Sequence, residues 1–250
     1  MFFSSQQPAR ASLAVVNLVL LIVLLFSFGI NQIILGKIYK NLGLSNNPIS
    51  KIAGALGSGG GSGVALSGDI SQDAIKLAMA QGTPEIYGAE LAVSFDQVEP
   101  AMNVIKQFDP TYGSQKIVLA DQDLQRYINI GLKIACEYCC GATSLIREDG
   151  QAACGCAHSQ AMRGLLAYLI KNHNSEYTDD EMLRELARWK GLYFPKQMIQ
   201  KITSQLQGAN FTPDVASLLL GMKLPDYGKG SQSAPLPSDI KGLPNMVGGC

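Results

Sequence analysis

The sequence predicts a mainly α-helical protein with a single N-terminal transmembrane helix, a flexible tether and a small helical domain. Three observations lead to this fold class: an unbroken apolar run near the N-terminus, a glycine and serine segment after it, and a series of amphipathic segments further along the 250-residue chain. The predicted boundaries are 1–36 for a short tail and the anchor, 37–69 for the tether, 70–223 for the domain, and 224–250 for a disordered tail.

The apolar run extends from Ala11 to Ile30, and its only strongly polar side chain is Asn17. Its length suits the hydrocarbon core of a bilayer. A cleaved signal peptide is the alternative, because Arg10 precedes the run. However, a signal sequence has an apolar region of roughly 7 to 15 residues, which this run exceeds. We therefore expect an uncut single-pass signal-anchor, with the membrane as its partner.

Flanking charges leave the membrane orientation open. Arg10 and the terminal amine lie on one side of the run, and Lys37 and Lys40 lie on the other. Short N-terminal tails commonly stay in the cytoplasm, which favours an extracytoplasmic domain. Basic and acidic residues both total 20, so the chain has no net charge that would attract nucleic acid. Nothing in the sequence specifies a protein partner.

The tether contains the run Gly57–Gly63, which reads GSGGGSG and has the composition of a flexible coil. The tether would allow the domain to move relative to the membrane. A phosphate-binding P-loop needs Gly-Lys-Ser/Thr at the end of such a run, and this run lacks it.

Six segments of the domain show helical spacing of apolar residues. They are Ser71–Gln81, a segment from Pro100 to Phe108, Asp121–Ala135, Ser159–Asn172, a segment from Thr178 to Trp189, and Lys196–Gln207. Asp121 and Ser159 are predicted N-caps, and Thr178 with Glu181 forms a capping box. Strand propensity is confined to Glu90–Phe95 and Lys116–Ala120. After residue 224 the periodicity disappears, which predicts the disordered tail.

Five of the six cysteines cluster with one of the two histidines. The candidate ligands are Cys136, Cys139, Cys140, Cys154, Cys156 and His158. Two groups of soft ligands at this spacing, C-x2-C-C and C-x-C-x-H, can meet around one tetrahedral ion. The insert between them, Gly141–Ala153, contains the polar sequence REDG, which predicts a hairpin turn that would bring the two groups together. Zinc is the expected ion.

Other interpretations of the cluster stay open. An iron–sulfur cluster or copper(I) is also compatible with thiolate ligands. A thiol-disulfide oxidoreductase would use Cys136 and Cys139 as its C-x-x-C pair, although redox pairs usually open a helix and these cysteines are predicted to follow one. The third possibility is an extracytoplasmic interaction domain stapled by disulfides. A c-type haem is excluded, because Cys140 stands where histidine is needed.

The motifs CEYCCGA (Cys136–Ala142) and ACGCAHSQAMRGLLAYL (Ala153–Leu169) carry a resemblance. With RYINI before them and the WK and FP steps after them, they resemble a family of archaeal and related prokaryotic membrane-anchored proteins of uncharacterised function. The resemblance extends over roughly residues 87–195. A fainter similarity, limited to Cys-Gly-Cys and a nearby histidine, is to the bacterial family named for its PCYCGC motif. The resemblance supports the domain boundary and implies no activity.

The remaining candidates have structural explanations. His173 follows a helix end, where a polar or cationic side chain is favourable, and we do not expect it to bind a metal. Trp189 has helical spacing and is expected in the core. Cys250 is predicted to be a free thiol, since a prenylation box needs its cysteine fourth from the end. No catalytic constellation is apparent, so the sequence does not support an enzyme.

Overall fold

The computed structural model describes residues 66–227 and 238–249, which belong to one compact unit. The predicted anchor and the tether up to residue 65 lie outside the described residues. None of the described helices is long and apolar enough to cross a membrane.

The described part of the chain is mainly helical, as predicted, and contains no β-strand. Its α-helices are α1 (Ile70–Ala78), α2 (Gly88–Leu91), α3 (Val98–Ile105), α4 (Asp121–Gly131), α5 (Glu137–Cys140), α6 (Ala157–Asn172), α7 (Asp179–Tyr193), α8 (Pro195–Gly208) and α9 (Pro213–Leu218). Two 3₁₀ turns, Lys106–Phe108 and Ser238–Gly242, complete the structure. Neither segment with strand propensity forms a strand.

Helix α6 forms the centre of the fold, and ten successive residues, 161–170, are all buried. It packs against α3, the first 3₁₀ turn, α4 and α7. Gly164 permits the close approach of α3, because a Cβ atom at this position would overlap the backbone oxygen of Ile105. A helix buried on every side can hold its N-terminus rigidly, and the cysteine and histidine cluster lies at that N-terminus.

Local caps explain several helix ends. Thr178 and Glu181 form the predicted capping box of α7, with both reciprocal hydrogen bonds present. Two predicted caps are wrong. Asp121 is the first residue of α4 and has a φ of 50°, while Ala120 is the N-cap. Helix α6 begins two residues before Ser159, with Cys156 as its N-cap.

The insert between the two cysteine groups is the predicted hairpin. Ile146 and Ala152 form an antiparallel bridge, and the backbone N–H of Arg147 donates to the carbonyl of Gln151 at 2.8 Å. Gly150 closes the turn with a φ of +79°, a value at which other residues are strained. The hairpin therefore returns the chain from α5 to the start of α6.

The C-terminal residues 238–249 differ from the predicted disordered tail. Ile240 is 2% exposed and belongs to the hydrophobic core. The backbone N–H of Val247 donates to the carbonyl of Tyr193 at 2.9 Å. These contacts join residues far apart in the sequence, so local composition gives no sign of them. The segment 228–237 lies outside the described residues.

Candidate metal centre

The first ligand group lies on a short helical turn. Helix α4 ends at Gly131, earlier than predicted, and Cys136 is the N-cap of α5. Gly141 ends α5 in the left-handed conformation, with a φ of 67°. The thiol of Cys140 lies 3.7 Å from the carbonyl oxygen of Cys136, one turn earlier. The expectation that Cys136 follows a helix is therefore wrong, because it opens one.

The second ligand group lies at the N-terminus of α6. The sulfur of Cys156 accepts a hydrogen bond from the backbone N–H of Ser159 at 3.4 Å, which makes Cys156 a side-chain N-cap. The backbone N–H of Cys156 donates to the sulfur of Cys154 at 3.5 Å. His158 lies in the first turn of α6. Helix N-termini stabilise negative charge, so this position favours a thiolate at Cys156.

The described donors form two triads that share one sulfur. Cys136, Cys156 and His158 have ligand atoms within 4.8 Å of one another, as do Cys140, Cys154 and Cys156. The sulfurs of Cys136 and Cys156 are 3.6 Å apart. Two thiolates bound to one tetrahedral zinc ion at 2.3 Å would be about 3.8 Å apart. The observed separation therefore fits a shared ion, and these Cys and His groups could hold one.

His158 has the surroundings of a metal-binding histidine. Its side chain is fully buried, and its Nε2 atom is 2.8 Å from the carbonyl oxygen of Val247. Its Nδ1 atom is also buried and has no partner of normal hydrogen-bond geometry among the described residues, although His158 helps to lower the pKa of the neighbouring Cys156. The ring packs against Tyr193 and Phe194, with centroids 5.1 and 4.9 Å away. A ring held through one nitrogen by a carbonyl leaves the other nitrogen available to an ion.

The thiols of the cluster differ in pKa. The hydrogen bond from the Cys136 thiol lowers the pKa of Cys156 to about 3, although burial opposes this shift. The same hydrogen bond, together with burial, raises the pKa of Cys136 far above its usual value. Burial raises the pKa of Cys154 to about 12. Among these three thiols, Cys156 therefore most favours the thiolate form, and the thiol of Cys136 resists ionisation because adjacent negative charges repel one another.

A buried ion pair fixes the backbone of Cys154. Arg163 donates to both carboxylate oxygens of Asp109, at 3.0 and 2.7 Å, and neither side chain is exposed. Its remaining nitrogen donates to the carbonyl of Cys154 at 2.8 Å and to that of Leu145 at 3.3 Å. Arg163 therefore links the central helix to both ends of the hairpin that separates the two ligand groups.

A second charge network fixes the turn that carries Cys136. Glu137 accepts hydrogen bonds from Lys190 at 3.0 Å and from Lys201 at 2.9 Å. Both lysines also contact Asp214, at 2.8 and 2.9 Å. Two cations and two anions thus balance, which allows Lys190 to be 1% exposed. The network joins α5 to α7, α8 and α9.

Cys139 is separate from the other predicted ligands. It is disulfide-bonded, whereas Cys136, Cys140, Cys154 and Cys156 carry free thiols. The structure therefore brings five of the six predicted ligands together, whereas the sulfur of Cys139 is in a disulfide. Cys250, predicted to be a free thiol, lies outside the described residues.

His173 and Trp189 belong to neither triad. His173 is the C-cap of α6, and its two ring nitrogens contact Glu176 at 2.6 Å and Glu90 at 2.9 Å. Trp189 is fully buried, and its indole N–H donates to the hydroxyl of Tyr87 at 2.7 Å. The prediction that Trp189 lies in the core is confirmed.

Sequence reasoning missed the groups that support the cluster: the ion pair of Asp109 and Arg163, the charge network around Glu137, and Val247. One signal was available, since Arg163 is the only charged residue between Ala161 and Ile170, a segment that is otherwise almost wholly apolar. A lone arginine in such a run predicts a buried partner. Nothing local marks Val247, because it acts through its backbone carbonyl.

Comparisons with family models, with curated proteins and with solved structures find no match to this chain.

Proposed function

We propose that this protein is a membrane-anchored metal-binding module, and that its ion is zinc. The ligands would be Cys136, Cys156 and His158, with Cys140 or Cys154 as the fourth. The observation that carries the proposal is the buried Nδ1 atom of His158, which has no described hydrogen-bond partner and belongs to a side chain grouped with two thiols. An unpartnered buried polar atom is costly, and an ion would remove that cost.

The donor chemistry favours zinc over the other ions. Mixed sulfur and imidazole ligands in a tetrahedral arrangement are typical of structural zinc sites. The lowered pKa of Cys156 favours the thiolate, which is the form that binds a metal ion. Copper(I) and an iron–sulfur cluster remain alternative occupants, since both accept thiolates.

Elemental analysis of protein purified without added metal tests this proposal. We expect stoichiometric zinc, and three of the four thiols of Cys136, Cys140, Cys154 and Cys156 should react with a thiol reagent only after chelation. Cys156→Ser should abolish binding, because both triads use this sulfur. Cys139→Ser is the matched control and should keep the metal, since Cys139 is disulfide-bonded. Metal-free protein, or equal metal loss in both variants, would contradict the assignment.

The anchor is the second part of the proposal, and it rests on the apolar run from Ala11 to Ile30. The protein should stay in the membrane fraction after alkaline extraction, and its intact mass should include the run. A mature N-terminus after Ile30 would make the protein secreted instead. We favour an extracytoplasmic domain. A cysteine introduced into the tether should then react with a membrane-impermeant thiol reagent added to intact cells, and a lack of labelling would place the domain in the cytoplasm.

A thiol-disulfide oxidoreductase is the second candidate, with Cys156 in place of Cys139 as the partner of Cys136, and the 3.6 Å separation of the Cys136 and Cys156 sulfurs favours it. Cys156 caps a helix, as an attacking thiolate would. It would attack a substrate disulfide, and Cys136 would then attack the mixed disulfide, releasing the reduced substrate and leaving a Cys136–Cys156 disulfide. Reduction of a model disulfide by the metal-free protein, lost in Cys136→Ser, would support this candidate over zinc binding.

A further inference from the structure

The C-terminal residues 238–249, here called the strap, lie against the candidate metal centre. Ile240 anchors the strap in the core, and the backbone atoms of Val247 form two hydrogen bonds. Its N–H donates to the carbonyl of Tyr193 at 2.9 Å, and its carbonyl is 2.8 Å from Nε2 of His158. The strap therefore touches the cluster through a main-chain atom.

The Val247 carbonyl determines which ring nitrogen of His158 carries the proton. A carbonyl oxygen only accepts hydrogen bonds, so Nε2 must be the donor. In a neutral imidazole, Nδ1 then keeps its lone pair, which is the form that binds a metal ion. Metal-binding histidines commonly donate their other N–H to a carbonyl or carboxylate, which fixes both the tautomer and the ring orientation.

We propose that the strap is a positioning element of the metal site. Its Val247 carbonyl holds His158 as the Nε2–H tautomer, and docking of the strap and binding of the ion therefore strengthen each other. This inference rests on the proposed metal binding. Coupling between the two events must be reciprocal, so an ion bound at His158 should also protect the strap from proteolysis.

Gly248 offers a single-residue way to disturb the strap. Its φ is +83°, which disfavours any residue with a Cβ atom. A Cβ atom there would lie 2.6 Å from Cε of Met102 and 3.6 Å from Nε2 of His158. The adjacent Gly249 has no atom within 4 Å of its potential Cβ position. Gly248→Ala and Gly249→Ala are therefore a matched pair.

Competition with a zinc chelator measures the affinity of the full chain for Zn²⁺ alone. We expect Gly248→Ala to weaken binding about 10-fold to 100-fold, the usual effect of losing a partner that orients a ligand. Gly249→Ala should bind as the unsubstituted protein does. Equal affinities in the two variants would overturn the inference while leaving metal binding intact.

A double-mutant cycle separates positioning from general stability. In the His158→Ala background, Gly248→Ala should cause no further loss of zinc affinity, because the strap acts through that ring. A full additional loss would show that the strap only stabilises the fold. Removal of residues 244–250 provides a second variant, with Cys250→Ser in the full chain as its control, and circular dichroism checks that each variant folds.

Nitrogen NMR of the histidine rings tests the inference even if no metal binds. The metal-free protein should already show the Nε2–H tautomer at His158, and Gly248→Ala should lose it. A ring that is protonated at Nδ1 in the unsubstituted protein would overturn the inference directly. Absence of zinc binding with the expected tautomer would instead remove the proposed function and leave the strap contact standing.

Discussion

Replacement of Arg163 by Leu should be the most destabilising single change near the cluster. The guanidinium group makes two hydrogen bonds to Asp109 and two to backbone carbonyls, and both charged side chains are fully buried. Removing one partner leaves the other charge buried and unpaired, which costs about 3 to 5 kcal/mol of unfolding free energy. For a domain of this size the melting temperature should fall by roughly 6 to 20 °C.

The matched control is Arg147→Leu, because Arg147 pairs with Asp149 at 3.5 Å while both side chains are 60% exposed. An exposed pair contributes about 0 to 1 kcal/mol. Urea unfolding, followed by circular dichroism with excess chelator and again with zinc, measures both changes. If Arg163→Leu costs no more than Arg147→Leu, the buried pair does not hold the hairpin as argued. In contrast, the double variant Arg163→Leu/Asp109→Leu should lose less than the two single variants together.

Two further outcomes are expected. Burial opposes ionisation of Asp214, but Lys190 holds the pKa of this carboxyl well below the usual value. The carboxylate therefore stabilises the fold above about pH 4, and this contribution is lost as the pH falls further. Asp214→Asn should reduce the loss of unfolding free energy between neutral and acidic pH, measured by urea unfolding, and an unchanged pH dependence would contradict the pairing. Gly164→Ala should cost about 1 to 3 kcal/mol in the same unfolding assay, because α6 already touches a backbone oxygen of α3, and a neutral effect would disprove that close packing.

The helices and the hairpin could be predicted because their signals are local. The capping box of Thr178 and Glu181 uses residues three positions apart, and the turn at Gly150 needs only its own backbone conformation. The start of α6 was missed by two residues, since cysteine is not among the usual N-cap residues and Ser159 is. The structure supplies the reason, because the sulfur of Cys156 accepts the hydrogen bond that a serine oxygen would normally accept.

Contacts between distant residues could not be predicted. The sequence places Cys139 and Cys140 side by side, and only the geometry of α5 shows that Cys140 joins the cluster while Cys139 is disulfide-bonded. The strap resembles a disordered tail in composition, but its hydrogen bonds to Tyr193 and His158 join residues that are more than fifty positions apart. The composition of a segment indicates whether that segment can form a hydrophobic core by itself. The strap instead packs against a core formed by other residues, so its own composition does not predict that it is ordered.

Three independent anchors hold the cluster, which has a consequence for folding. Glu137 fixes the turn of Cys136, Arg163 fixes the backbone of Cys154, and Val247 fixes the ring of His158. None of these contacts needs an ion, whereas in small zinc fingers the metal replaces a missing core. The described domain has a large core around α6, so the metal-free protein should keep its helical circular dichroism. Chelation should lower the melting temperature and increase amide exchange mainly between residues 136 and 158. A global loss of helix on chelation would show that the ion, and not these three anchors, organises the site.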